Sequence, residues 1–232
     1  MIDERKILPL MNTKLTYPIS NEENQFMIIK PQPPLKRVFD LSFAIILFIV
    51  LLPLFLLFSI IVKVDGGSAF YGHERVGKNG QKFKCLKFRS MASNSQELLQ
   101  NLLASDPISY EEWHSTYKLK NDPRVTRIGH FLRKSSLDEM PQLINIIKGE
   151  MSFVGPRPVT QDELTRYKDN VIYYLAVTPG LTGLWQVSGR NDIDYETRVS
   201  LDTQYVKNWS FSQDLKILAK TFIIVILGKG AY

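Results

Sequence analysis

The stretch LSFAIILFIVLLPLFLLFSIIV, Leu41 to Val62, carries no charge and is bounded by Asp40 and Lys63. It is as long as the ~20 apolar residues a helix needs to cross a bilayer. Apolar residues surround the helix on every face, which a half-buried helix of a soluble core does not require. The run starts too far into the chain for the apolar core of a signal peptide, and no small-residue cleavage site follows it. Pro53 lies near its midpoint, removes one backbone donor and clashes with the preceding turn, so a kink or break is expected there. Lys36 and Arg37 stand before the run; Lys63 and a cluster from Arg75 to Arg89 stand after it. Positive residues beside a membrane segment favour the cytoplasmic side, and here both ends are positive. A helix that enters, bends at Pro53 and returns satisfies both ends, whereas a simple span satisfies one. The residues alone leave both arrangements open.

Outward from this segment the chain divides into three parts. Residues 1–34 are polar and end in Pro31, Pro33 and Pro34, which reads as a loosely ordered arm. Residues 35–63 are the membrane helix, and residues 64–232 form the soluble part. The 232 residues carry 29 Lys and Arg against 23 Asp and Glu, a net charge of +6, which suits an anionic partner such as nucleic acid, a phospholipid surface or a phosphorylated substrate. A single cysteine, Cys85, excludes an intrachain disulfide framework and any multi-cysteine zinc site, so a reducing cytoplasmic setting is the default.

In the soluble part, Phe70–Val76 and Gln81–Arg89 read as two strands joined by Gly77-Lys78-Asn79-Gly80, whose Asn-Gly pair favours positive φ. Phe83, Cys85 and Lys87 share one face of the second strand. Met91 to Ala104 reads as a helix with Leu98, Leu99, Leu102 and Leu103 inward, and Thr126–Lys134 as a short helix. Ser136 and Glu139 have capping-box spacing, with Leu137, Met140, Leu143, Ile144 and Ile147 at helical spacing and Gly149 closing the helix. Tyr195–Trp209 and Gln213–Leu227 read as two further helices, the last apolar enough to lie at a membrane interface.

Asp138 and Glu139 then fall in the first turn of a helix, where free N–H groups and the positive helix end favour an ionised carboxylate. Such a carboxylate can attack phosphorus or bind a divalent cation, although acidic residues also occur there merely as caps. Lys87, Arg89, Arg133 and Arg157 stand beside strand ends or turns, and guanidinium forks match phosphate oxygens. A solvated basic face is the alternative reading of the same residues. His73, His114 and His130 are scattered, and no Walker A motif or GxGxxG is present.

Several ordered blocks run through the chain: KRVFD at 36–40, ERVGKNGQKF at 74–83, LKFRSM at 86–91 and DPRVTRIGHFLRKSSLDEMPQLINIIKGEMSFVGPRP at 122–158. PGLTGLWQVSGR at 179–190 and the ending YVKNWSFSQDLKILAKT follow. From about Lys36 to Tyr232 the chain resembles the bacterial sugar transferases, the monotopic phosphoglycosyl transferases that attach a sugar phosphate to a polyprenyl phosphate. It looks most like members that transfer a hexose 1-phosphate, of galactose or glucose type, at the start of exopolysaccharide, capsule or O-antigen synthesis.

The resemblance implies an α+β fold: a mostly helical, membrane-associated catalytic domain with a small β-hairpin and a re-entrant N-terminal helix broken at Pro53. It implies Asp138 as the nucleophile on the sugar-bearing phosphate of a UDP-sugar, and Glu139 as the ligand of Mg²⁺. UMP would leave, and undecaprenyl phosphate would take the phosphosugar. Lys87, Arg89, Arg133 and Arg157 are then expected around the phosphates, with Gln186 and Arg190 at the nucleotide or sugar end. Many members carry serine before the helix-breaking proline; here that residue is Leu52. Larger members have further membrane helices, so the chain reads as the core catalytic unit with a short arm, facing the cytoplasm from the bacterial inner membrane among its lipids. The oligomeric state is open, a homodimer included. A non-enzymatic scaffold of polysaccharide assembly would be expected to lack an intact Asp138–Glu139 pair. A nucleic-acid binder finds no motif in the basic cluster.

Overall fold

The computed structural model describes residues 32–116, 119–189 and 193–226; Arg190 and nearly all of the N-terminal arm lie outside them. The apolar segment forms one helix, α1 (Pro34–Val62), with Pro34 in its first turn. It runs through Pro53 without interruption, so the expected break is not there. Phe48 and Leu51 before Pro53, and Phe55, Phe58 and Val62 after it, all pack on the same cluster with Phe88, Leu132 and Met140. That packing holds both halves in line across the one missing backbone donor. One turn later the Ser59 hydroxyl donates to Phe55 O at 2.7 Å.

α1 is docked along its whole length on the rest of the chain. At its start, Arg37 donates to the carbonyls of Ile146 and Ile147 at 2.5 and 2.7 Å, and Asp40 accepts from Phe153 N at 3.1 Å. Lys36, only 3% exposed, donates to Asp214 at 2.6 Å. At its end, Arg89 donates to Val62 O at 2.6 Å. Lys36 and Arg37, counted from sequence as flanking surface charges, are therefore internal clamps. The side of α1 away from the domain stays exposed and apolar, with Ile46, Ile49, Val50 and Ile60 outward.

After α1 the chain forms the expected antiparallel hairpin of β1 (Phe70–Val76) and β2 (Lys82–Phe88), with Phe70 opposite Phe88 and His73 opposite Cys85. Asn79 (φ 58°) and Gly80 (φ 76°) make the turn. Phe55 stacks on Phe70 and packs tilted against Phe88, centroids 5.4 and 5.2 Å away, seating the second half of α1 on the hairpin. α2 (Ser95–Ser105) and α3 (Pro107–Thr116) follow. α2 starts later than expected, because Met91 pairs as an isolated bridge with Val125, and its leucines are only half-buried.

α4 (Arg127–Lys134) is capped by Thr126, whose hydroxyl accepts from Gly129 N at 3.0 Å. The helix expected from Ser136 is split. Ser136 adopts φ 58° without capping anything, Leu137–Glu139 form a single 3₁₀ turn, and α5 (Gln142–Lys148) starts after Pro141 and ends at Gly149 (φ 84°). Pro141 has no N–H, so a continuous ladder from Leu137 would lose a rung and the helix restarts behind it. The capping box occurs instead at Thr160 and Glu163, opening α6 (Gln161–Thr165). β3 (Ser152–Val154) and β4 (Gly180–Thr182) pair in parallel across a crossover containing α6 and α7 (Val171–Ala176). α8 (Tyr195–Lys207) and α9 (Phe211–Ile226) complete the fold, close to the expected bounds. The chain is thus mostly helical with two small sheets.

Candidate active site

The free end of β2 and the 3₁₀ turn Leu137–Glu139 meet at one point. Lys87 Nζ lies 3.2 Å from Asp138 Oδ2 and 2.8 Å from Glu139 Oε1, one ammonium bridging two adjacent carboxylates. The expectation of a helix N-terminus under this pair is not met. The carboxylates sit in the isolated turn, and the charge facing them is Lys87. Ser136, immediately before, is a non-glycine residue in the left-handed region, a conformation costing about 1–2 kcal/mol. It turns the chain so that Asp138 faces inward, 7% exposed, with Glu139 more open.

The two carboxylates differ in basicity. Burial pushes Asp138 up, against the opposing pull of Lys87 and the more distant Arg133. Burial would also raise Glu139, but Lys87 and Arg157 outweigh it and hold Glu139 below the usual range. Burial would lower Lys87, yet Glu139 and Asp138 raise it on balance. The site therefore pairs a firmly ionised Glu139 with a more basic Asp138, the kind of split that assigns different roles to neighbouring groups. Arg133, on the last turn of α4, is held by its Nε bond to Ser90 Oγ at 2.9 Å. Gly129 permits this: a Cβ there would collide with the Ser90 carbonyl, so only glycine lets α4 lie this close to the strand end. Arg157 is exposed on the Gly155–Pro158 turn after β3.

Two adjacent carboxylates, one of them buried, a bridging lysine and two arginines whose charges reach them form one charged centre. A family model of bacterial sugar transferases matches residues 31–228. The chain belongs to the bacterial sugar transferase family. It is 53% identical over 233 residues to the UDP-galactose-lipid carrier transferase of Erwinia amylovora, covering 97% of this chain and 48% of that protein. It is 59% identical over 198 residues to the exopolysaccharide production protein ExoY of Sinorhizobium fredii, covering 85% and 88%. It is 34% identical over 207 residues to the UDP-glucose:undecaprenyl-phosphate glucose-1-phosphate transferase of Escherichia coli, covering 85% and 41%. The chain spans about half the length of the curated relatives first matched.

In this member of the family the expected site residues are spread out. Lys87, Asp138 and Glu139 are in contact, and the charges of Arg133 and Arg157 reach them. Arg89 is turned to the end of α1, where it donates to Val62 O. Gln186 stands in the turn Trp185–Val187 after β4 and donates to Leu181 O at 3.3 Å. Arg190 lies outside the described residues. Replacing Lys87 with methionine is expected to lower turnover roughly 10- to 100-fold, the scale of a hydrogen bond to a charged group. Both carboxylates then lose the charge that lowers them, so the acid limb of the pH–rate profile moves to higher pH. Rate profiles of the two proteins between pH 5 and 8 check this.

Sequence reading missed Asn145, 1% exposed on α5. Its Oδ1 accepts from Leu86 N at 3.0 Å, and its Nδ2 donates to Lys84 O at 2.8 Å and to Glu150 at 2.6 Å. The amide thus stands in for a neighbouring strand along the outer edge of β2. It ties the strand bearing Lys87 to the helix that follows Asp138 and Glu139. A polar amide inside the apolar run LINII was the available signal. Asn145→Ala takes the partner from the half-buried Leu86 N–H and the more open Lys84 C=O, at about 1–3 kcal/mol together. The variant is expected to melt at a lower temperature than the wild type, which thermal unfolding of the two proteins checks.

Behind Arg157, Asp202 on α8 is buried at 2% exposure. Its Oδ2 accepts from the Tyr167 hydroxyl at 2.8 Å, and its Oδ1 has no partner among the described residues. Burial raises this carboxyl to about 7, despite the Tyr167 bond and the charge of Arg157. The native state therefore keeps a proton that the unfolded chain, near 3.8, has released. Stability falls as pH rises between these values, where the native state binds the extra proton. Melting temperatures should drop from pH 5 to pH 7.5 by more in the wild type than in Asp202→Asn.

Proposed function

We propose that the chain transfers a sugar 1-phosphate from a UDP-sugar to undecaprenyl phosphate, releasing UMP and forming the diphosphate-linked lipid sugar. The observation that carries this is the Lys87 bridge to Asp138 and Glu139, with Arg133 and Arg157 in electrostatic reach. Asp138 attacks the phosphorus that bears the sugar; the bond from that phosphorus to the UMP oxygen breaks, and UMP departs with the electron pair. A phosphate oxygen of the lipid acceptor then attacks the same phosphorus, and Asp138 is released as a carboxylate. Splitting the displacement in two is covalent catalysis. Lys87 and the arginines hold the diphosphate oxygens and offset the charge building on UMP.

Glu139 is the group to hold Mg²⁺. Its carboxyl stays ionised, it is partly open, and Mg²⁺ commonly takes one or two carboxylates together with substrate phosphates. When bound, the cation would supply further neutralisation of phosphate charge.

α1 is long and apolar enough to cross a membrane. Its contacts with one domain at both ends favour an uninterrupted helix held against a single membrane face, and α9 also leaves Phe222, Ile223 and Val225 exposed. The facing side is then the cytoplasm, at the bacterial inner membrane. Two of the relatives carry galactose in their names and a third, more distant one carries glucose, which makes UDP-galactose the first donor to test. The test is UMP release from the detergent-solubilised protein with Mg²⁺ and undecaprenyl phosphate, offering UDP-galactose, UDP-glucose and their N-acetylated forms in parallel. Release with one donor that depends on the acceptor supports the reading, and silence with all four removes it for these sugars.

A further inference from the structure

Between the last turn of α1 and the first turn of α4 lies a cleft of about 370 Å³. This is the low end of the ~300–1,000 Å³ usual for small-ligand sites. Ile61, Val64, Met91 and Ile128 make its apolar walls, and Arg89 and Arg127 flank it. A nucleotide sugar has no use for such walls. A neutral hydrocarbon has no use for two guanidiniums.

We propose that this cleft holds the first isoprene units of the polyprenyl phosphate acceptor and guides its phosphate to Asp138. The assignment rests on the transfer reaction proposed above. Three observations carry it. First, the cleft is lined by Val64, 83% exposed and two residues beyond the end of α1, whose Ile60 is also exposed. Second, its inner wall is the continuation of β2. Lys87 touches both carboxylates, and Arg89 is two residues further, about 7 Å at the rise of an extended chain. Third, Ser90, between the lining residues Arg89 and Met91, bonds to both the cleft and the phosphate site. Its hydroxyl accepts from Arg133, and its carbonyl accepts from the N–H of Thr126 at 3.1 Å, a residue that also lines the cleft. A cleft of about 370 Å³ with apolar walls and cationic flanks matches a single-chain lipid phosphate better than a two-chain phospholipid.

The test is binding of radiolabelled undecaprenyl phosphate to the full chain in detergent, for wild type, Val64→Glu, Val64→Leu and Arg127→Glu. Both positions are exposed, so the variants fold, and melting temperatures check this. The expected result is roughly tenfold or greater weakening in Val64→Glu and Arg127→Glu, about 1.4 kcal/mol or more. Val64→Leu should bind as wild type, and excess phosphatidylglycerol should not compete. In turnover, the acceptor KM should rise in the two glutamate variants with the UDP-sugar KM unchanged. Unaltered binding in Val64→Glu, or equal displacement by phosphatidylglycerol, would overturn the assignment. A wild type that binds the lipid phosphate in this Val64-dependent way but transfers no sugar would keep the cleft and remove the reaction.

Discussion

Asp138→Asn is expected to lower sugar phosphate transfer on the order of 10³-fold or more, the scale seen when a covalent nucleophile is removed. The two side chains have nearly the same shape, and the turn is set by the backbone of Ser136 and by Pro141 rather than by the carboxylate. The fold should therefore survive. What is lost is the charged oxygen that burial makes more basic and that Lys87 holds at 3.2 Å. An amide in that place cannot attack phosphorus. UDP-sugar binding should be kept, because Lys87, Glu139, Arg133 and Arg157 remain. The measurement is UMP release alongside binding of the UDP-sugar, and activity within tenfold of wild type would remove Asp138 from the role of nucleophile.

Lys36→Met is expected to destabilise the protein by about 3–5 kcal/mol, the range for breaking one half of a buried ion pair. Lys36 and Asp214 are both nearly inaccessible, with side chains 4% and 2% exposed. Asp214 also accepts from the Tyr205 hydroxyl at 2.7 Å and from the Trp209 indole at 3.1 Å, so it cannot swing out to water without abandoning both. The double variant Lys36→Met/Asp214→Asn should recover part of the loss, since the amide removes the stranded charge and still accepts from Tyr205. Urea unfolding in detergent measures both. Because the pair joins the start of α1 to α9, its loss should also make α1 more open to proteolysis at that end.

What the residues disclosed in advance follows from how local each signal is. The hairpin was legible because Asn79-Gly80 demands positive φ and Phe83 and Cys85 alternate toward the core. α4, α8 and α9 lie close to the bounds read from sequence, α4 and α8 opening on the capping side chains Thr126 and Asp194. The Ser136 helix was misread because a capping-box spacing was given more weight than Pro141, five residues on, which takes one rung from the backbone ladder. The parallel pairing of β3 with β4 was invisible: each strand is three residues long and its partner is about 28 residues away. Of the site, Lys87, Asp138 and Glu139 were named before their contact was known. Asn145 was not, since nothing local says that a helix amide will pair with a strand edge 59 residues earlier. Arg89 was expected at the phosphates because Lys87 is there, but β2 ends at Phe88 and the Arg89 guanidinium serves the end of α1.

The account stands most directly on a bond between Asp138 and the phosphosugar. The full chain would be incubated with UDP-galactose and Mg²⁺ without acceptor, quenched in acid, digested and weighed by mass spectrometry. If UDP-galactose gives no UMP release, the donor that does takes its place. The account predicts one sugar phosphate added to the peptide that contains Asp138, lost on addition of undecaprenyl phosphate and absent from Asp138→Asn. UMP release with acceptor present but no such adduct, or an adduct on a different residue, would contradict it.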